Sequence, residues 1–68
     1  MRYALVSGRA DDRQTIARYL PSNYRVVGPN AEGDAFLIEG TDSAGWTLDG
    51  YVIPRLQSGL FWAKEVEG

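Results

Sequence analysis

The feature that most constrains this chain is the complete absence of cysteine from its 68 residues. A chain this short buries only ~60 % of the surface that its unfolded form exposes, and many small domains compensate with disulfides. Here an apolar core alone has to hold the fold. Histidine is also absent, which removes the commonest general base and the commonest metal ligand. We therefore expect one small domain, residues 1–68, with no catalytic residue, no metal site and no cofactor.

The composition is that of a globular protein. Apolar residues make up 44 % of the chain and charged residues 24 %, values well away from those of disordered segments. No apolar run approaches the ~20 residues that a membrane-spanning helix requires. The first residues do not lead into the apolar region of a secretory signal. Together with the lack of cysteine, these features predict a cytoplasmic protein without a membrane partner.

The charges are unevenly distributed along the chain. Residues 1–25 carry five arginines against two aspartates, for +3. Residues 26–68 carry two basic side chains against seven carboxylates, for −5. The acidic balance argues against nucleic acid as the main partner, because such binding depends on clustered cations. We expect the two oppositely charged parts to intermix in the folded protein.

The N-terminal part predicts a strand followed by a helix. Residues 2–7 form a short apolar run that is typical of a strand. Asp11 and Gln14 have the spacing of a capping box, with Asp11 as the N-cap. Pro21 disfavours helical geometry in the residue before it. A helix is therefore expected over residues 11–20.

A second helix is expected to follow residues 41–43, whose side chains are N-cap candidates. Its buried face would consist of Leu48, Val52, Ile53 and Leu56. Pro54 lacks a backbone donor and crowds the carbonyl of Gly50, so the helix is expected to be kinked or in two pieces. Gly59 is expected to end it in the left-handed conformation.

The order of elements predicts the fold class. Residues 24–39 contain two β-rich runs around a Gly- and Asn-containing turn, and residues 60–66 are expected to form the last strand. The resulting order, β-α-β-β-α-β, is that of the ferredoxin-like split βαβ fold. This is an α+β, two-layer sandwich in which a four-stranded antiparallel sheet of order 4-1-3-2 carries both helices on one face.

The predicted strands are apolar on both faces, although the helices can cover only one. In the last strand, for example, Leu60 and Trp62 would point to one face and Phe61 and Ala63 to the other. A half-solvated sheet normally alternates apolar and polar residues, and large exposed apolar patches mark interaction surfaces. The sequence does not determine which face is open, because a one-residue change of register exchanges the faces.

These patterns favour a non-enzymatic protein-interaction module that self-associates or binds a partner protein through an apolar sheet face. No serine has a histidine to activate it, and no nucleotide-binding motif is present. Aromatic and arginine side chains are the usual anchors at the centre of an interface. The predicted partner-binding residues are Tyr3, Leu5, Phe36, Phe61 and Trp62 on the sheet, with Tyr51 and Arg55 on the second helix.

Single-stranded nucleic-acid binding is the alternative. RNA-recognition motifs have the same strand order and stack bases on aromatic residues of strands one and three, where this chain has Tyr3 and Phe36. Its N-terminal arginines could contact phosphates. Strand three is flanked by Asp34 and Glu39, however, where that family carries a basic residue and further aromatics.

Residues 44–60 (AGWTLDGYVIPRLQSGL) resemble a segment of small accessory proteins of actinobacteria and their phages, and the resemblance extends to residues 7–10 and 19–21. The chain has six arginines and one lysine, and this preference for arginine fits an origin in a GC-rich actinobacterial genome. The resemblance implies a small accessory protein that binds a host or phage protein, and it carries over no catalytic residue.

Overall fold

The computed structural model describes residues 1–67, and their strands form one antiparallel sheet of order β2-β3-β1-β4. The strands are β1 (Arg2–Ser7), β2 (Tyr24–Pro29), β3 (Ala35–Gly40) and β4 (Ala63–Val66). The helices are α1 (Arg13–Arg18), entered through a 3₁₀ turn at Ala10–Asp12, and α2 (Ile53–Ser58), entered through a π-helical turn at Leu48–Val52. The predicted α+β architecture and the strand order 4-1-3-2 are confirmed.

The core lies between the helices and one face of the sheet. Phe36, 2 % exposed, joins a single buried cluster with residues of both helical segments. The side chains with no exposed surface are Ala4, Val6, Ile16, Ile38, Leu48, Val52 and Leu56. No polar or charged residue among residues 1–67 is buried. The alternation of β1 and β3 sends Tyr3, Leu5 and Leu37 to the other face, which the helices leave uncovered.

The first helical segment begins earlier than predicted, and Asp11 is not its cap. The carboxylate of Asp12 accepts a hydrogen bond from the backbone N–H of Arg9 at 2.8 Å. The N–H of Asp12 in turn donates to the carbonyl of Arg9 at 2.8 Å, closing the 3₁₀ turn. Asp12 rather than Asp11 has this role because Asp12 stands three residues after the residue that starts the turn.

The second helix is in two pieces, as predicted. The N–H groups of Val52 and Ile53 donate to the carbonyls of Thr47 and Leu48, five residues earlier. This wider turn lies immediately before Pro54, whose missing N–H and bulky ring disfavour a regular α-helical turn at that point. The predicted N-cap within residues 41–43 is wrong. Thr47 is the cap, and its hydroxyl accepts from the Gly50 N–H at 3.0 Å.

The residue in the left-handed conformation after α2 is Leu60, with φ +68°, and the prediction for Gly59 is wrong. The N–H of Leu60 donates to the carbonyl of Gln57, and that of Phe61 donates to Leu56, both at 3.0 Å. These are the two hydrogen bonds of a Schellman motif. Gly59, one residue earlier, has a negative φ of −90°. A Cβ at Gly59 would lie 2.6 Å from the Tyr19 ring.

The Schellman motif also shortens the last strand, which begins at Ala63 rather than at residue 60. Leu60 projects into solvent with 95 % of its surface exposed. Phe61 turns back and packs against the core. The backbone of Trp62 pairs with Ser7, so the alternation of side chains resumes only there. The predicted strand at Leu60 and Phe61 is therefore wrong, although the two side chains still separate as predicted, Leu60 into solvent and Phe61 onto the core.

Leu56 and Leu60 provide a matched test of this packing. Leu56→Ala removes a fully buried side chain and should lower the free energy of unfolding by about 2–5 kcal/mol. Leu60→Ala removes an exposed side chain and should change the free energy of unfolding by less than about 0.5 kcal/mol. Urea titration followed by circular dichroism measures both. Equal losses in the two variants would contradict this description of the core.

Candidate interaction surfaces

The loop at residues 41–47, between β3 and the π-helical turn, is fixed by the carboxylate of Asp42. Its Oδ1 accepts hydrogen bonds from the Tyr24 hydroxyl at 2.6 Å and from the Leu48 N–H at 2.9 Å. Its Oδ2 accepts from the Arg2 guanidinium at 2.7 Å. These three donors, Tyr24 first, hold the pKa of Asp42 at about 2. Partial burial and the bond to Asp42 raise the pKa of Tyr24.

Arg2 extends this arrangement into a network of three carboxylates. Its guanidinium donates to Glu65 at 2.6 and 2.9 Å, and to Asp49 at 2.8 Å, in addition to Asp42. These bonds, that to Glu65 being the strongest, raise the pKa of Arg2. The network ties β1 to β4, to the loop and to the π-helical turn. It also confirms that the basic N-terminal part and the acidic remainder intermix.

Asn23 provides a second anchor for the loop. Its side-chain Nδ2 donates to the backbone carbonyls of Thr41 and Trp46 at 2.9 and 2.8 Å. The backbone carbonyl of Asn23 accepts from the Thr41 N–H at 3.2 Å. The loop closes in a turn in which the Trp46 N–H donates to Ser43 at 2.9 Å. Gly45, third in this turn, has φ +79°, as a type II turn requires. Trp46 is thereby held with 45 % of its surface exposed.

Trp46 forms one wall of a surface groove. Its ring meets that of Tyr51 edge-on, with the centroids 4.6 Å apart and the planes at 81°. The groove has a volume of about 560 Å³. We define the Trp46 groove by its lining residues, Leu20, Pro21, Ser22, Asn23, Ser43, Trp46 and Tyr51. None of these seven residues carries a charge. The volume of the groove and its mixture of apolar and polar groups are typical of a ligand site.

The uncovered face of the sheet forms a second surface. The open sheet surface is defined by Tyr3, Leu5, Leu37, Trp62 and Val66. Four of these are half-buried by their neighbours, whereas Trp62, which continues the alternation of β4, is 54 % exposed. Charged residues also lie on this face. Glu39 stands opposite Tyr3 on β3 and accepts a hydrogen bond from Arg25 Nε at 2.7 Å, and Lys64 stands opposite Leu5 on the edge strand.

The predicted partner-binding residues do not lie on one surface of the structure. Tyr3, Leu5 and Trp62 lie on the open sheet surface, and Tyr51 lies in the Trp46 groove. Arg55 and Phe61 flank Tyr19, with the guanidinium 5.3 Å and the Phe61 ring 5.9 Å from its ring centroid. Phe36 pairs with Val6 in the sheet register, which directs its side chain into the core, so it does not reach the surface.

Sequence reasoning missed Trp46, Pro21 and Asn23. The signal for Trp46 was present, because a glycine in the third position of Ser43–Trp46 is typical of a type II turn that displays the residue after it. No comparable signal existed for Asn23. Its hydrogen bond to Trp46 spans 23 residues of sequence.

The stacking platform of the nucleic-acid alternative does not form. Tyr3 lies on the open face, but Phe36 lies on the core face. The β3 residue paired with Tyr3 is Glu39. Two of the N-terminal arginines, Arg2 and Arg25, are engaged with carboxylates.

Within residues 1–67, no group of three potential ligands could hold a metal ion. No helix in the same range has both the length and the apolar character needed to cross a membrane. Comparison of the chain with protein-family models, curated proteins and solved structures gave no match. The resemblance of residues 44–60 to actinobacterial accessory proteins therefore stays a hypothesis.

The low pKa of Asp42 predicts a specific acid sensitivity. The pKa of Asp42 in the folded protein, about 2, is below its ordinary value of 3.8. The ionised carboxylate therefore stabilises the fold at pH values above 3.8. That stabilisation is lost as the pH falls towards 2. Asp42→Asn should flatten the dependence of stability on pH between about pH 5 and pH 2. Urea titrations at each pH measure this, and the exposed Asp11 provides the control variant Asp11→Asn. Equal pH dependence in wild type and Asp42→Asn would contradict the role of the carboxylate.

Proposed function

We propose that the protein is a non-enzymatic, cytoplasmic protein-interaction module that binds a second copy of itself through the open sheet surface. The observation that carries this proposal is the sheet face on which apolar side chains line neighbouring strands without a helix to cover them. We also propose that it is an accessory protein of an actinobacterium or of a phage that infects one. This part of the proposal rests on the resemblance of residues 44–60 alone.

The edges of the sheet favour docking on the face over pairing at an edge. The β2 edge is interrupted by a bulge between Val26 and Gly28 and ends in Pro29. The β4 edge has only four residues, with Lys64 among them. Bulges, proline, short strands and lysine are the features that prevent strands from adding to an edge.

The layout of the sheet allows a second copy as the occupant. With a two-fold axis along the strand direction, β4 of one copy lies over β2 and β3 of the other. Lys64 of each copy then lies over the strands of its partner that carry the Arg25–Glu39 ion pair. The contact is self-complementary, as a two-fold interface must be.

The required area fits the size of the molecule. A standard stable interface buries about 800 Å² on each partner. The whole described surface is 4312 Å², so a dimer through one sheet face would cover about a fifth of it. Only a broad face, rather than an edge or a loop, provides such an area in so small a protein.

Analytical ultracentrifugation over a range of concentrations tests the proposal. The wild-type protein should sediment as a dimer at high micromolar concentration, and Leu37→Lys should sediment as a monomer because it places a charge in the interface. Leu60→Lys adds the same charge to an exposed leucine outside the surface and should leave the dimer intact.

A wild-type protein that is monomeric throughout would overturn the proposal. So would equal dissociation in Leu37→Lys and Leu60→Lys, because the effect would then not depend on the sheet surface. Urea unfolding of each variant establishes that the chain is folded during sedimentation.

A further inference from the structure

We propose that the Trp46 groove binds a proline-rich segment of another protein in the polyproline II conformation. This inference is independent of self-association, because the groove and the open sheet surface share no residue. Shape, hydrogen-bonding groups, charge and rigidity of the groove each support this class of ligand.

The shape of the groove suits a proline ring. The nearly perpendicular rings of Trp46 and Tyr51 form an apolar corner, and Leu20 and Pro21 also line the groove. Aromatic-lined grooves are the surfaces that dock polyproline II segments. The volume of about 560 Å³ is large enough for a short segment of chain rather than a single side chain.

The free polar groups of the groove include several donors. The Trp46 indole N–H and the hydroxyls of Ser22, Ser43 and Tyr51 make no side-chain hydrogen bond within residues 1–67. An indole N–H can only donate, and a hydroxyl can donate or accept. A polyproline II segment leaves its backbone carbonyls unpaired, and each proline lacks an N–H. An acceptor-rich segment therefore complements these groups.

The lack of charge disfavours charged ligands, and the rigidity of the groove favours a rigid ligand. Because no lining residue is charged, nothing in the groove would offset the desolvation of an acidic or basic ligand. Asn23 and Asp42 fix the loop that carries Trp46, so the groove is formed before binding. Both partners are then ordered in advance, which lowers the entropic cost of association.

Titration with a capped decaproline peptide, followed by ¹H–¹⁵N correlation spectra, tests the proposal. The indole signal of Trp46 and the amide signal of Tyr51 should shift saturably, while the indole signal of Trp62 stays in place. Trp46→Ala should weaken binding by about tenfold or more. Trp62→Ala is the matched control, because Trp62 is similarly exposed but lies outside the groove. This variant should bind the peptide as the wild type does.

Tyr51→Phe keeps the ring and removes only the hydroxyl, so it should weaken binding severalfold without changing thermal unfolding. It provides a test even if Trp46→Ala fails to fold. The proposal is overturned if decaproline at millimolar concentration causes no saturable shift. It is also overturned if a capped glycine–serine decapeptide binds equally well, if only an oligosaccharide such as maltohexaose binds, or if Tyr51→Phe binds as the wild type does. Repeating the titration on Leu37→Lys separates peptide binding from self-association.

Discussion

The carboxylate of Asp42 is the point on which the arrangement of this small protein depends. It receives donors from β1, from β2 and from the start of the π-helical turn. Each bond is partly exposed to water and individually modest, but together they specify one position for a loop that has little regular structure. Asn23 then fixes the far end of the same loop. The exposed Trp46 therefore belongs to the rigid part of the molecule rather than to a mobile connection.

A core this small makes each close contact consequential. A Cβ at Gly59 would meet the Tyr19 ring, and the left-handed residue at this helix end is Leu60. The Schellman motif that results turns Phe61 into the core and leaves Leu60 in solvent. The same motif delays the start of β4 to Ala63, and Trp62, immediately before it, lies on the open sheet surface.

The strand order and the two-piece second helix were predictable because apolar runs, turn residues and Pro54 are local signals. The caps were not, since Asp11 and Asp12 are adjacent and equally suitable, and residues 41–43 offered three candidates before Thr47. Three predicted site residues, Tyr3, Leu5 and Trp62, share one surface, whereas Phe36 is in the core because register decides its face. The Trp46 groove depends on contacts between distant parts of the chain, which spacing alone does not reveal.

Both proposed binding surfaces depend on a rigid framework, and the groove depends on it most. Backbone ¹⁵N relaxation of the wild-type protein tests that rigidity most directly. If Asp42 and Asn23 fix the loop as described, order parameters for residues 41–47 should be about 0.85, like those of β1. Values below about 0.6 across the loop would show that Trp46 is mobile and would contradict the account.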